Sequence, residues 1–437
     1  MTSTPISFPQ APFSREPRQL VNADRARRVM ADLKLDAVIG TNYKNLYYLS
    51  GHMPDSVVGH FADVTAAAIL PASDQAPACL CASDYDLAYL VTRPTWMPEL
   101  RMFSAKTRSS AAYLLEMIQK GTGIDTELRQ PLRQIFSKTR EISENDLYDA
   151  ITAYIHAHLG KGKLRIGFDD LRVAAIVRDK IGDRLEIHDA LHTFRAIRIV
   201  KTPHELDLLR RAAAINDTAT RDAAAATREG APIFAMVDAY RLSVVRQGAK
   251  FLGERGMMFG AGPDGGFVLD NGWAETRRLK RGDTIVYDAI GTYQLYHMDI
   301  ARTGYVGEPP AALLRAHSAV REALETAESL LKPGVHTSTA RDRAAEVIAK
   351  HGYDPSLTTM MFHSIGLDVL EYADPGDKVR GWTVEKDMAL NFEVFYRDPD
   401  LGGVHLEDTV FVRDAGIEHL TTIPREIIVT ERAAAAE

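Results

Sequence analysis

Four carboxylates and one imidazole are embedded in apolar, β-rich runs of the last third of this chain, and that placement constrains the fold more than any other feature. Asp288 follows Thr284-Ile285-Val286-Tyr287, and Asp299 lies in Met298-Asp299-Ile300-Ala301-Arg302. His363 follows Met360-Met361-Phe362, Glu393 closes Ala389-Leu390-Asn391-Phe392, and Glu407 stands between Val404-His405-Leu406 and Asp408-Thr409-Val410. A carboxylate buried in a strand without a partner is costly, and two on facing strands repel unless a cation lies between them. Taken singly, each residue has an ordinary reading: a solvated turn aspartate, or a histidine satisfied within a core. Taken together they are a set of hard oxygen donors with one nitrogen. Such a set suits two divalent ions (Mn, Fe, Co or Zn) sharing a bridging water, which is equipment for metal-assisted bond cleavage.

A chain of 437 residues predicts two domains. Its net charge of -7 argues against nucleic acid as a partner, because phosphate binding needs a basic surface. No apolar stretch approaches the length of a membrane span. The start of the chain, MTSTPISFPQAPFSREPRQL, has no apolar core of a secretory signal, so a cytoplasmic location is expected. Cys79 and Cys81 are the only cysteines; two buried thiols fit a reducing compartment better than a CxC metal site, which would lack a second cluster.

Residues 1–19 read as an arm. Residues 20–195 alternate helix and strand, as an α/β domain does, with strands in LDAVIG, VTAAAILP, PACLCASD and LRIGF and helices in AAYLLEMIQKG and LYDAITAYIHAHLG. The second domain, 196–437, opens at Thr202-Pro203-His204-Glu205, a capping box with proline at the first helical position. Leu208, Ala212 and Ile215 continue it as an amphipathic helix, after which helices alternate with β-rich stretches. Gly291 is expected to open the turn between the two aspartate strands, and the long Gly-rich loop LGERGMMFGAGPDGGFVLDNGW is expected to be functional.

The second domain resembles the pita-bread metallohydrolases: methionine aminopeptidase, aminopeptidase P, prolidase and the non-metal member creatinase. The resemblance rests on Asp288 and Asp299 with ten residues between them, on His363-Ser364-Ile365-Gly366-Leu367, on Glu393, and on Glu407-Asp408-Thr409. Asp299-Ile300-Ala301-Arg302-Thr303 adds to it, with Ala301 as a departure. The first domain resembles the creatinase/prolidase N-terminal type through LDAVIGTNYKNLYYLSG and RIVKTPHEL. The fold implied is an α/β N-terminal domain plus an α+β pita-bread catalytic domain, and the resemblance implies a homodimer. It also implies that His363 and Glu393 serve one ion, Asp288 the other, and that Asp299 and Glu407 bridge them. Glu393, with His363, is then the catalytic pair, Glu393 carrying the proton of the metal-bound water. His405 and Arg302 are expected to orient the ligand carboxylates from behind.

The peptidases of that family carry two further histidines, and this chain has neither. The one that ends H-x-x-G-x-x-x-H falls on Leu370, and the loop histidine falls near Asn271, in Asp270-Asn271-Gly272-Trp273. A metal site kept intact beside an altered pocket implies a non-peptidase branch. The leading expectation is hydrolysis of a C–N (amide-type) bond in a small metabolite. Xaa-Pro dipeptidase activity, a metal-dependent lyase resembling the dimethylsulfoniopropionate lyases, and a non-catalytic binding module are the alternatives. Asp270, Asn271, Trp273, Tyr296, Asp368 and Glu371 are the expected pocket lining, where acidic and aromatic groups would suit a small cationic substrate. His52 and His60 are candidates to replace a missing imidazole across a subunit boundary.

Overall fold

A computed structural model describes residues 17–53, 65–103, 117, 120, 129–252, 257–266 and 277–430. The expected helix over 111–121 apart from Met117 and Lys120, His60, and the loop residues Asp270, Asn271 and Trp273 lie outside the described residues. The chain divides into two compact units between Arg198 and Ile199.

The first unit is built on β1 (Ala37–Gly40), β2 (Ala66–Pro71), β3 (Cys79–Ser83), β4 (Glu99–Phe103), β5 (Thr139–Glu144), β6 (Leu164–Phe168) and β7 (Leu185–Asp189), in the order β5-β4-β3-β2-β1-β6-β7. Only the β1–β2 and β2–β3 pairs are antiparallel, so helices must cross over between most of the strands. The helix Leu147–His158 shows why they pack: Leu147, Ala150, Ile151, Tyr154 and Ile155 recur at helical spacing and are all buried. They share one core with Cys79 and Cys81, which are free thiols. Among the described residues neither cysteine belongs to a group with metal-ligand spacing.

The second unit begins as its sequence prescribes. Thr202 caps the helix Pro203–Ala226 through the Glu205 N–H, and the Glu205 side chain returns to the Thr202 N–H. Its sheet comprises β8 (Lys250–Phe251), β9 (Met257–Ala261), β10 (Thr284–Tyr293), β11 (Tyr296–Val306), β12 (Thr358–Ser364), β13 (Ala389–Asp398), β14 (Gly402–Arg413), β15 (Gly416–His419) and β16 (Ile428–Thr430). The main path runs β12-β13-β14-β11-β10-β8, with β15, β16 and β9 paired to β14, β11 and β10.

Strand alternation then sorts the side chains onto two faces. Ile285, Tyr287, Ala289, Met298 and Ile300 pack in one core with residues of the helices Pro203–Ala226 and Phe234–Arg246. Leu390, Phe392, Val394, Val404, Leu406, Val410 and Val412 do the same with Ala311–Leu330 and Thr337–Lys350. Each large apolar side chain fully buried there contributes about 1.5–3 kcal/mol. The intervening residues, on the opposite face, include all five expected ligands.

The turn between the aspartate strands is not at Gly291. Strand β10 continues to Tyr293, which pairs with Tyr296, and Gln294 and Leu295 form the two-residue turn with φ of 48° and 68°. Positive φ at both positions marks a type I′ hairpin, a turn usually signalled by Asn-Gly. Gly291 serves a different need: a Cβ there would meet the Lys250 carbonyl at 2.9 Å.

Candidate metal centre

Strand register assembles the site in adjacent rows. Asp288 lies opposite Ala301, Ala301 opposite Glu407, Glu407 opposite Glu393, and Glu393 opposite Met361. The next row holds Asp299, opposite Ile290 on β10, and Thr409, Asn391 and His363, paired in turn across β14, β13 and β12. On the other side of the first row, His405 lies opposite Phe395. Residues two apart on a strand share a face, so 405, 407 and 409 project together, as do 391, 393 and 395.

Two ligand groups result. Asp299, His363 and Glu407 offer atoms all within 4.8 Å of one another, and so do Glu393, His405 and Glu407. His363 Nε2 is 3.1 Å from Glu407 Oε1 and 3.9 Å from Asp299 Oδ2, while His405 Nε2 is 3.1 Å from Glu393 Oε2. Glu407 is the shared member. This differs from the division implied by the resemblance, in which His363 and Glu393 serve one ion. Asp288 completes neither group, but it interacts electrostatically with His405, Glu407, Glu393 and His363.

The electrostatics show what the cluster lacks. Burial, with the added repulsion of Glu407 and Glu393, pushes the Asp288 carboxyl up to about 7 against the pull of His405. Burial pushes Asp299 up as well, and Glu407, Asp288 and Glu393 reinforce it. Burial works to lower His363 and His405, yet the hydrogen bond and charge of Glu407 raise the former and those of Glu393 raise the latter. For Glu393 burial would raise the carboxyl, and the His405 contact outweighs it and leaves it lowered. Two imidazoles cannot neutralise four buried carboxylates, and Asp299 Oδ1 is buried with no hydrogen-bond partner among the described residues. Hard oxygen donors, imidazole nitrogens, an orphaned carboxylate oxygen and uncompensated negative charge fit divalent cations.

Residues missed from the sequence hold the ligands in place. Asn391 Nδ2 donates to Glu407 Oε1 at 3.0 Å, and the Thr409 hydroxyl lies 2.9 Å from Asn391 Oδ1 and 3.0 Å from the Asp299 carbonyl. The signal was present: Asn391 is a polar residue inside an apolar run, two residues before Glu393 and so on its face. Arg302 lies on the opposite face. Fully buried, it donates to the carbonyls of Ala301, Glu407, Ile423 and Pro424 and to Asp408 Oδ1 at 2.6 Å. It therefore holds Glu407 through the backbone, not through a ligand carboxylate.

The expected pocket residues are placed unevenly. Tyr296 is fully buried, because it has the parity opposite to Asp299 on β11; its hydroxyl donates to Glu205 Oε1 at 3.0 Å. Glu371 is also fully buried and pairs with Lys201 Nζ at 2.6 Å. The structure presents neither to a substrate pocket, which corrects that expectation for both. Asp368 is half-buried in the loop after His363, where its carbonyl accepts the Gly366 N–H. Leu370 packs against the apolar core, so no polar group occupies that position. In the first unit His52 is fully buried, with Nδ1 2.9 Å from the Arg93 carbonyl.

Comparisons with known proteins converge on one family. A family profile described as metallopeptidase family M24 matches residues 207–414, and one described as the creatinase/prolidase N-terminal domain matches 23–200. The Xaa-Pro dipeptidase of Pyrococcus furiosus is 30% identical over 233 residues, 53% of this chain and 66% of that protein. A Bacillus subtilis protein described as an uncharacterized peptidase is 27% identical over 56% of this chain and 68% of its own length. The chain thus spans about two thirds of the length of the curated relatives it matches. Among solved structures, the prolidase from Pyrococcus horikoshii superposes with a TM-score of 0.67 at 20% identity, covering 93% of this chain and 99% of that one. The Xaa-Pro dipeptidase from Bacillus anthracis does so with 0.68 at 20% identity, over 93% and 99%. Nothing in these comparisons supports a non-peptidase branch. The chain is a member of metallopeptidase family M24, with a pita-bread domain on a creatinase/prolidase-type N-terminal domain.

Proposed function

We propose that this chain is a metal-dependent hydrolase acting as an Xaa-Pro dipeptidase. The observation that carries the reading is the pair of buried ligand groups joined at Glu407, on a chain whose relatives are described as Xaa-Pro dipeptidases. Asp288, Asp299, His363, Glu393 and Glu407 would hold two divalent ions, which when bound supply an activated water and polarise the carbonyl under attack. Glu393, with 14% of its side chain exposed, is the ligand residue nearest to solvent and takes up the proton that the water loses. His405 holds that carboxylate at Oε2, and Asn391 holds Glu407 at Oε1, so both keep their aim as charge develops. The surrounding burial excludes bulk water and strengthens every charge interaction inside.

A second reading is hydrolysis of a small non-prolyl amide. Leu370 favours it, because the position that holds a histidine in the peptidases is here part of the apolar packing. Purified protein loaded with Mn²⁺, Co²⁺ or Zn²⁺ should cleave Xaa-Pro dipeptides in preference to small amides without proline. Turnover confined to the amides would establish the second reading. Product formation without ¹⁸O from labelled water would overturn both in favour of a lyase.

A further inference from the structure

We propose that His405 is itself a metal ligand, so that each ion of the centre has an imidazole of its own: His363 on one side of Glu407 and His405 on the other. The inference rests on the metal-centre reading above and goes beyond its ligand set, in which His405 has no place.

Geometry carries it first. His405 Nε2 and one oxygen each of Glu393 and Glu407 lie within 4.8 Å of one another. Two donors held at about 2.1 Å from one ion, roughly a right angle apart, are themselves about 3 Å apart. The 3.1 Å between His405 Nε2 and Glu393 Oε2 matches that spacing, as does the 3.1 Å between His363 Nε2 and Glu407 Oε1. The two histidines thus stand in equivalent relations to the carboxylates they touch.

Placement carries it second. His405 is two residues before Glu407 on β14 and shares its face. The ring is 1% exposed and stacks on Phe395, with centroids 4.4 Å apart and planes 13° apart; Phe395 in turn lies under the Arg397 guanidinium at 3.9 Å. A ring clamped between strands loses little freedom on binding an ion. Its Nδ1 is buried with no hydrogen-bond partner among the described residues, so no backbone acceptor fixes the ring for a purely structural purpose. What Nε2 faces is the carboxylates of Glu393 and Glu407.

The alternative is that His405 only positions Glu393 by a hydrogen bond. The two roles differ in chemistry. An imidazole ligand selects Zn²⁺, Co²⁺ or Fe²⁺ over Mn²⁺, whereas a positioning hydrogen bond serves every metal alike. His405→Gln separates them, since the amide can still donate to Glu393 but supplies no imidazole nitrogen. Metal-depleted wild type, His405→Gln and His405→Ala would be titrated with Co²⁺, Zn²⁺ and Mn²⁺, reading stoichiometry by elemental analysis and the visible Co²⁺ absorption. For a ligand, His405→Gln lowers the Zn²⁺/Mn²⁺ affinity ratio at one of two sites by about tenfold or more and changes the Co²⁺ band, whereas loss of a positioning partner costs about 10–100-fold for every metal alike and leaves ratio and band in place. If its Co²⁺ spectrum and its Zn²⁺/Mn²⁺ affinity ratio stay within about threefold of wild type, the inference is overturned. Should the alanine variant not fold, the glutamine variant decides alone. Failure of the wild type to bind near-stoichiometric metal would instead sink the metal-centre reading.

Discussion

Replacing Lys201 by methionine tests the buried polar cluster beneath the His363 loop. Lys201 Nζ and Glu371 Oε2 are 2.6 Å apart, with 1% and 0% of the side chains exposed. Glu205, also buried, accepts the Thr202 N–H and the Tyr296 hydroxyl, and burial pushes its carboxyl up to about 7 despite the nearby ammonium. One ammonium therefore serves two buried carboxylates. Lys201→Met keeps the apolar stem and removes the charge, and Glu371 must then become protonated. Holding a carboxyl of ordinary pKa neutral at about pH 7 costs roughly 3.5 kcal/mol, within the range of about 3–5 kcal/mol for breaking a buried pair. The sign follows from linkage: a carboxyl raised in the folded state contributes stability that is full below its unfolded pKa and is lost as pH rises through the folded value. Urea unfolding of the metal-free protein should show that deficit near pH 7 and little of it near pH 4.5. Lys201→Met with Glu371→Gln should recover most of it. A deficit that is the same at both pH values, or a double variant no better than the single one, would refute the reasoning.

Gly366→Ala should disturb the same cluster from the other side, since a Cβ there would meet Lys201 Nζ and Glu371 Oε2, both at 2.8 Å; melting of the metal-free protein should drop by several degrees, and an unchanged melt would show that the loop yields. Arg302→Lys should cost about 3 kcal/mol or more, because a single ammonium cannot reproduce five donor contacts, and it should weaken metal binding through the displaced backbone of Glu407. Asp288, raised to about 7 from 3.8, and Asp299, raised in the same direction, contribute stability to the metal-free protein that is full at acid pH and is lost as pH rises toward neutrality. A cation reverses this, so the melting difference between Mn²⁺-loaded and metal-free protein should widen from about pH 5.5 to about pH 8, and a constant difference would count against a shared carboxylate site.

Much of the site is local in the chain and was therefore legible. Each ligand announces itself as a charged residue in an apolar run, and period-two alternation puts His405, Glu407 and Thr409 on one face without any knowledge of the fold. The same rule, applied to β11, separates Tyr296 from Asp299 and would have withdrawn Tyr296 from the pocket. The hairpin turn was hidden for a different reason: Gln294 and Leu295 adopt positive φ without the glycine or asparagine that normally marks it.

The sequence by itself determined the two-domain organisation, the capped helix at Thr202, the α/β character of the first unit and the five residues proposed for a metal centre. Tertiary structure alone decided how they combine. The strand order β12-β13-β14-β11-β10 sets Glu407 between Glu393 and Ala301 and makes it common to both candidate ligand groups. The folded chain also joins Lys201 to Glu371 across 170 residues. Alternation within a strand is a property of the backbone and travels with the sequence. Register between strands depends on which cores close and which turns form, and that is settled only when the whole sheet is buried.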